Sequence, residues 1–145
     1  MFTHLLVPTD GSEASEAVIR QSIEIAQLLK ARVTGLHVMQ PFHLFSYQPD
    51  MLEDTREQFD QDSQRLAAEL LAVIERAAEA AGVPCETLSV AGDLPYEAIL
   101  KAAEEQGCDL IAMASHGRRG VKGLLLGSET QKVLIHTHKP VLVFR

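Results

Sequence analysis

The chain has 145 residues, with 13 Lys plus Arg against 20 Asp plus Glu and a formal net charge of −7. That length suits one domain with its own core, and the acidity excludes a nucleic-acid coat or an anionic-membrane binder, which need positive charge facing phosphate. An apolar share of 46% excludes a disordered chain, and two cysteines, Cys85 and Cys108, exclude a disulfide framework or a four-cysteine zinc site.

The start, Met1 to Pro8, has neither the basic stretch nor the long apolar run of a secretory signal. The longest apolar runs, such as Leu70 to Ile74 and Leu110 to Ala114, are too short to cross a bilayer. The expected compartment is the cytoplasm, with reduced thiols and no membrane contact. His4-Leu5-Leu6-Val7 is a predicted strand that ends in the turn Pro8-Thr9-Asp10-Gly11-Ser12. Ala14, Val18, Ser22, Ile25 and Leu29 then recur at helical spacing. Ser12 or Asp10 can cap this helix, and Glu13 and Glu16 suit its positive end. Arg32 to Val38 is a second strand. Gln40 to Asp50, with Pro41, Phe42, Phe45, Tyr47 and Pro49, is expected to be a long surface loop.

A long helix is expected from Leu52 to Ala81, with its apolar stripe at Leu66, Leu70, Val73, Ile74, Ala77 and Ala81. Gly82 and Pro84 end it. Its polar first half, Glu53 to Gln64, should project into solvent or fray. Cys85 to Val90 forms a third strand. Gly92-Asp93-Leu94-Pro95 starts a third helix, whose face is Tyr96, Ile99, Leu100 and Ala103. Asp109 to Ala114 is a fourth strand, Ser128 to His136 a fourth helix and Pro140 to Phe144 a last strand. This alternation implies one α/β domain over residues 1–145, a doubly wound five-stranded parallel sheet with helices on both faces. In such folds ligands bind beyond the carboxyl ends of the strands, where the strand order reverses.

The segment Ser115 to Ser128 lies at that end and holds four of the nine glycines: Gly117, Gly120, Gly123 and Gly127. Glycines let backbone amides approach an anion, and a helix N-terminus attracts one. Arg118, Arg119 and Lys122 add positive charge. The same composition also describes a solvated surface loop. No Lys precedes Ser128, which excludes a Walker A loop, and the even glycine spacing excludes the dinucleotide fingerprint.

Pro8-Thr9-Asp10-Gly11-Ser12, Leu36-His37-Val38, Ser115-His116-Gly117, Leu124-Leu125-Leu126-Gly127-Ser128 and Lys139-Pro140-Val141-Leu142-Val143 follow one another along the whole chain. In that order they resemble the universal stress protein family. The resemblance implies strand order 3-2-1-4-5 and a small cytoplasmic homodimer acting in stress response. For part of the family it also implies ATP binding through Gly, two residues, Gly, nine residues, then Gly followed by Ser or Thr. Here those places hold Ala114, Gly117 and Gly127-Ser128. Position by position, Pro8, Thr9 and Asp10 would line the adenosine side, and Val38 the adenine. Met113 and Ala114 would lie under the nucleoside, with His116 and Gly117 beside the ribose and phosphates. Gly127, Ser128 and Glu129 would meet the phosphates by their amides and the Ser128 hydroxyl. The Glu129 carboxylate, where the family often has a small apolar residue, must then point away. The ligand implied is ATP, with ADP or AMP as alternatives. Asp10 could hold Mg²⁺ with the phosphates or simply cap the first helix.

Other chemistry is weaker. Ser115 and His116 are neighbours on an extended chain and should point to opposite sides, which argues against a nucleophile and base. His136 and His138 lack the spacing for one helical face. His4 and His37 are possible neighbours on strands one and two, without a third metal ligand. Both cysteines are expected to be inert. A phosphoacceptor receiver domain would need a Lys after its last strand, whereas Lys139 precedes it. Val141 to Phe144 is an uncharged edge expected to pair with a second copy. The expected function is a regulatory, non-enzymatic adenine-nucleotide-binding homodimer with no catalytic residues and a protein partner of unknown identity. A partner would meet the Pro41 to Pro49 loop and the polar start of the long helix. The alternatives are a slow ATPase or phosphotransfer enzyme and a nucleotide-independent dimer.

Overall fold

The computed structural model describes residues 1–42, 49–116 and 126–145, with residues 49–54 by backbone alone. The elements are β1 (His4–Pro8), α1 (Glu13–Leu29), β2 (Arg32–Met39), α2 (Pro49–Ala81), β3 (Cys85–Ala91), α3 (Pro95–Glu105), β4 (Leu110–Ala114), α4 (Ser128–His136) and β5 (Val141–Phe144). The strands pair in the order β3-β2-β1-β4-β5, and every pairing is parallel. This is the doubly wound sheet expected from the alternation.

Period-2 alternation divides the core into two layers. Leu5, Val7, Val33, Leu110 and Ala112 face one side, under Val18, Ile19, Ile23 and Ala26 of α1 and Leu71, Ile74 and Ala78 of α2. Leu6, Leu36, Ile111 and Met113 face the other, under Ile99, Ala102 and Ala103 of α3 and Val133 of α4. Full burial of one such Leu or Ile contributes about 1.5–3 kcal/mol, so the paired layers dominate stability.

The helical stripes are rotated slightly from the predicted ones. On α1, Val18 and Ser22 are buried with Ser15, Ile19, Ile23 and Ala26, while Ala14, Ile25 and Leu29 lie at the margin. On α2 the buried line is Ala67, Leu71, Ile74 and Ala78, and Leu66 is exposed. Ile74 lies over Gly35 of β2, where a Cβ would sit 2.8 Å from its Cδ1. Leu70 lies over Gly11, beyond the end of β1. The helix therefore leaves the sheet at about Leu70, and most described side chains from Thr55 to Leu66 are exposed. This half is helical, starting at Pro49, because Pro is tolerated in a first turn where no N–H acceptor exists. Phe42 and Phe59 meet with ring centroids 5.2 Å apart, joining the segment after β2 to this overhang.

Strand ends differ by a residue from the expectation. β3 continues to Ala91, paired with Met39. β4 starts at Leu110, because the Asp109 carboxylate accepts hydrogen bonds from the N–H groups of Thr3 and His4 and from the Thr3 hydroxyl.

Candidate functional site

Three segments meet the carboxyl edge of the sheet where the chain direction of winding reverses, between β1 and β4. The first is the turn after β1. Thr9 is buried, its N–H donates to the Leu36 carbonyl at 2.8 Å and its carbonyl lies 2.9 Å from His37 Nδ1. Asp10 Oδ1 accepts from the Ser12 N–H at 2.9 Å and the Ser15 hydroxyl at 2.6 Å. Ser12, not Asp10, is the N-cap of α1, its hydroxyl oxygen accepting from the Ser15 N–H. Asp10 instead closes a local side-chain turn one step earlier. Gly11, at φ 80°, lets the chain reverse under Leu70.

The second segment joins β4 to α4. Ser115 donates its N–H to the Phe144 carbonyl at 2.7 Å, and its own carbonyl accepts from the Gly127 N–H at 2.6 Å. The Thr130 hydroxyl donates to the Ala114 carbonyl at 2.7 Å. The strand end is thereby clasped to the first turn of α4. Gly127 is the N-cap, with no side-chain cap bond, and Ser128 is exposed. The N–H groups of Ser128, Glu129 and Thr130 precede Gln131, the first intrahelical donor, which binds the Gly127 carbonyl, and they point out of the helix start, the geometry that receives anions. The Gly127 amide cannot join them as the sequence suggested, because Ser115 already consumes it. Gly117 lies outside the described residues, as do Gly120, Gly123, Arg118, Arg119 and Lys122.

The third part is an apolar wall. Met113 and Val38 pack on the α3 and α4 side of the core, two residues beyond the fully buried Ile111 and Leu36. By the same alternation Pro8, two residues beyond Leu6, belongs to this side. A Cβ on Gly92, after β3, would lie 3.9 Å from Val38 Cγ1, so that turn packs closely against the wall. Pro8, Val38 and Met113 thus share one face of three adjacent strands.

Glu129, where the resemblance would place a small apolar residue, has a structural role. Its Oε2 accepts from the Tyr96 N–H at 2.9 Å, in the first turn of α3, and its Oε1 lies 3.2 Å from Lys132 Nζ. Leu94 offers α3 no side-chain cap, so a carboxylate from α4 serves instead, at the positive end of the α3 dipole. Lys132 also stands 5.7 Å from the centroid of the Tyr96 ring, which meets the His136 ring at 5.0 Å with the planes tilted by 35°. The carboxylate is therefore directed to α3.

Ser115 and His116 were expected to point apart, yet Ser115 Oγ lies 3.1 Å from His116 Nδ1. Both occupy a bend after β4, and bending removes the opposition that an extended chain imposes. His116 has no carboxylate partner among the described residues. The sequence also gave no role to Thr130. A hydroxyl residue in the first turn of a helix whose N-cap is Gly is the signal that could have found it.

The remaining polar groups are structural. His4 lies opposite Arg32 and His37 opposite Ser89, so the two histidines are not neighbours. His4 is buried, with Nε2 2.7 Å from Thr34 Oγ1, and burial holds its pKa below the usual 6.5. Burial pushes the Cys108 thiol up to about 11 and also raises that of Cys85, so neither is a ready thiolate. His136 Nδ1 is 2.8 Å from the Lys132 carbonyl at the end of α4. Lys139 pairs with Glu104 at 3.4 Å, before β5. A cavity of about 270 Å³ beside Leu100, Glu104 and His136 to Lys139 lies at that opposite end of the sheet. Among the described residues no group of three or more His, Cys, Asp or Glu side chains could hold a metal ion, and no helix is long and apolar enough to cross a membrane.

Comparison with known proteins agrees with this architecture. The model of the universal stress protein family matches residues 1–145. Universal stress protein MJ0577 of Methanocaldococcus jannaschii is 31% identical, with 100% of this chain and 96% of that protein covered. Its solved structure superposes with a TM-score of 0.83 over 99% of this chain and 95% of the other. Universal stress protein YxiE of Bacillus subtilis is 32% identical over the full length of both chains. A universal stress protein solved in complex with cAMP is 25% identical, with a TM-score of 0.69 and coverage of 99% and 97%. A full-length family match, and relatives 31% and 32% identical over the whole chain, lead to one assignment: this chain belongs to the universal stress protein family.

Proposed function

We propose that this protein binds an adenine nucleotide, ATP in the first instance, at the carboxyl edge of β1, β2 and β4, and acts as a regulatory homodimer in the cytoplasm rather than as an enzyme. The observation that carries this reading is the uncapped start of α4, held by Ser115 and Thr130 against the end of β4. Three outward N–H groups there match the charge of a phosphate chain. The apolar side of Pro8, Val38 and Met113 suits a purine, and the turn of Thr9 and Asp10 suits a ribose. The complex of a 25% identical family member with cAMP supports the ligand class. Ala114 adds one methyl group where the family signature has Gly. Its backbone is β-strand, a conformation open to any L-residue, so the fold does not demand Gly there. Ser128, Glu129 and His116 would meet the phosphates, with Gly117 and Gly127 shaping the approach. Mg²⁺, which favours one or two carboxylates with phosphate oxygens, fits the single Asp10 carboxylate oriented by Ser12 and Ser15.

The test is calorimetry with ATP and Mg²⁺ on the wild type and on Gly127→Asp. Gly127 has φ −58°, which Asp adopts freely, and Asp is a strong N-cap. The variant should therefore keep or gain stability while its carboxylate occupies the amides and repels phosphate. Expected is binding by the wild type and its loss in the variant; equal heats from both would overturn the assignment of this loop.

A nucleotide-independent dimer is favoured by one observation, the commitment of the Gly127 N–H to Ser115. It requires that ATP leave the melting temperature unchanged, whereas a ligand that binds only the folded state raises it. Mass spectrometry of the incubated nucleotide separates a binding protein, which leaves ATP intact, from a slow ATPase, which accumulates ADP.

A further inference from the structure

We infer that Ser115 is a positioning residue that fixes the tautomer of His116, so that the ring presents an Nε2–H donor to an anionic oxygen of the bound nucleotide. The inference rests on the nucleotide reading for its ligand, and on the Ser115–His116 geometry for everything else.

Ser115 is held from three sides. Its N–H is bound to the Phe144 carbonyl and its carbonyl to the Gly127 N–H, and the side chain, in a residue only 9% exposed, meets His116 Nδ1 at 3.1 Å. That contact could run either way, with the hydroxyl donating to a bare Nδ1 or Nδ1–H donating to the hydroxyl. The surroundings decide between them. Among the described residues Ser115 Oγ has no other hydrogen-bond partner, so within them His116 is the one group that can accept its proton. A buried donor left unpaired is unfavourable, whereas a hydroxyl oxygen tolerates an unused lone pair better. The hydroxyl therefore donates to Nδ1, and the proton of the neutral ring sits on Nε2. Nε2 has no partner of its own among the described residues. The half-buried ring follows β4 directly, at the foot of the segment leading to α4. A donor with a set proton and no acceptor among the described residues complements the helix-start amides, and requires no reorganisation when an anion arrives.

Two measurements test this. ¹⁵N NMR of the neutral ring should show Nε2 protonated in the wild type, with Ser115→Ala shifting toward a tautomer mixture and Ser115→Thr, which keeps the hydroxyl, restoring the wild-type signature. In parallel, Ser115→Ala should weaken ATP binding about twofold, because a tautomer mixture leaves only part of the rings able to donate from Nε2. His116→Gln should do at least as much, and the double variant no more than His116→Gln alone. An Nδ1-protonated ring in the wild type, or additive losses in the double variant, overturns the inference. If the wild type binds no ATP, the nucleotide reading and the ligand half of the inference fall together. The tautomer spectrum then still decides whether Ser115 sets the ring.

Discussion

Gly11 and Gly35 are the points at which α2 descends onto backbone, and they fail differently when filled. A Cβ on Gly35 would press on Ile74, a side chain in a buried layer. At Gly11 it would stand 2.8 Å from Leu70 Cδ2 and also force a side chain onto φ 80°. Gly11→Ala should therefore cost about 1–3 kcal/mol in denaturant unfolding, from backbone strain and overpacking together. A second residue-scale effect concerns His4, whose pKa is lowered chiefly by burial and by Arg32, while Asp109 and Glu86 act against them. A His depressed in the fold binds its proton more readily when unfolded. Its contribution is complete above pH 6.5 and is lost as pH falls from there through the folded value. The melting temperature should thus decline between pH 7 and 5, and the decline should be shallower in His4→Gln, measured by calorimetry across that range.

Among the elements, α3 and α4 hold each other through polar ends as much as through Ile99 and Val133. Glu129 supplies the cap that Leu94 cannot, and Lys132 bridges from that carboxylate to the Tyr96 ring. Glu129→Ala should lower stability by about 1 kcal/mol, as for loss of a helix cap, and hydrogen exchange should show the Tyr96 amide losing protection. No pattern along α4 reveals this link, because the donor lies 33 residues away in sequence. By contrast, the cap at Ser12 is local and was readable, although it could not be separated from Asp10 until both side chains had positions. The stripes on α1 and α2 were read one residue off centre for a related reason. Periodicity finds the apolar side of a helix, but the exact line of contact depends on how the helix lies across a twisted sheet.

At the scale of the molecule, β5 closes one edge of the sheet with Val141, Leu142, Val143 and Phe144, all half-buried. An uncharged edge of this kind is a template for a second copy. In the proposed homodimer Val143→Lys should weaken association by at least about tenfold, since a lysine would lose water at the contact. Sedimentation at graded concentrations checks this, and an unaltered dimer would remove β5 from the interface. Phe144 also accepts the Ser115 N–H, so the edge strand touches the carboxyl end of β4 directly.

Strand and helix identity, the parallel winding and the turns that make up the candidate site at the carboxyl edge were legible in the residues alone. They depend on periodicity and turn chemistry, which act within a few positions of the chain. Tertiary structure alone decided which groups are already used: the Gly127 amide taken by Ser115, the Glu129 carboxylate taken by α3, the serine hydroxyl turned to His116. Hydrogen-bond partners are chosen by proximity in space, and each donor can be committed once. A sequence lists the donors; only the fold assigns them.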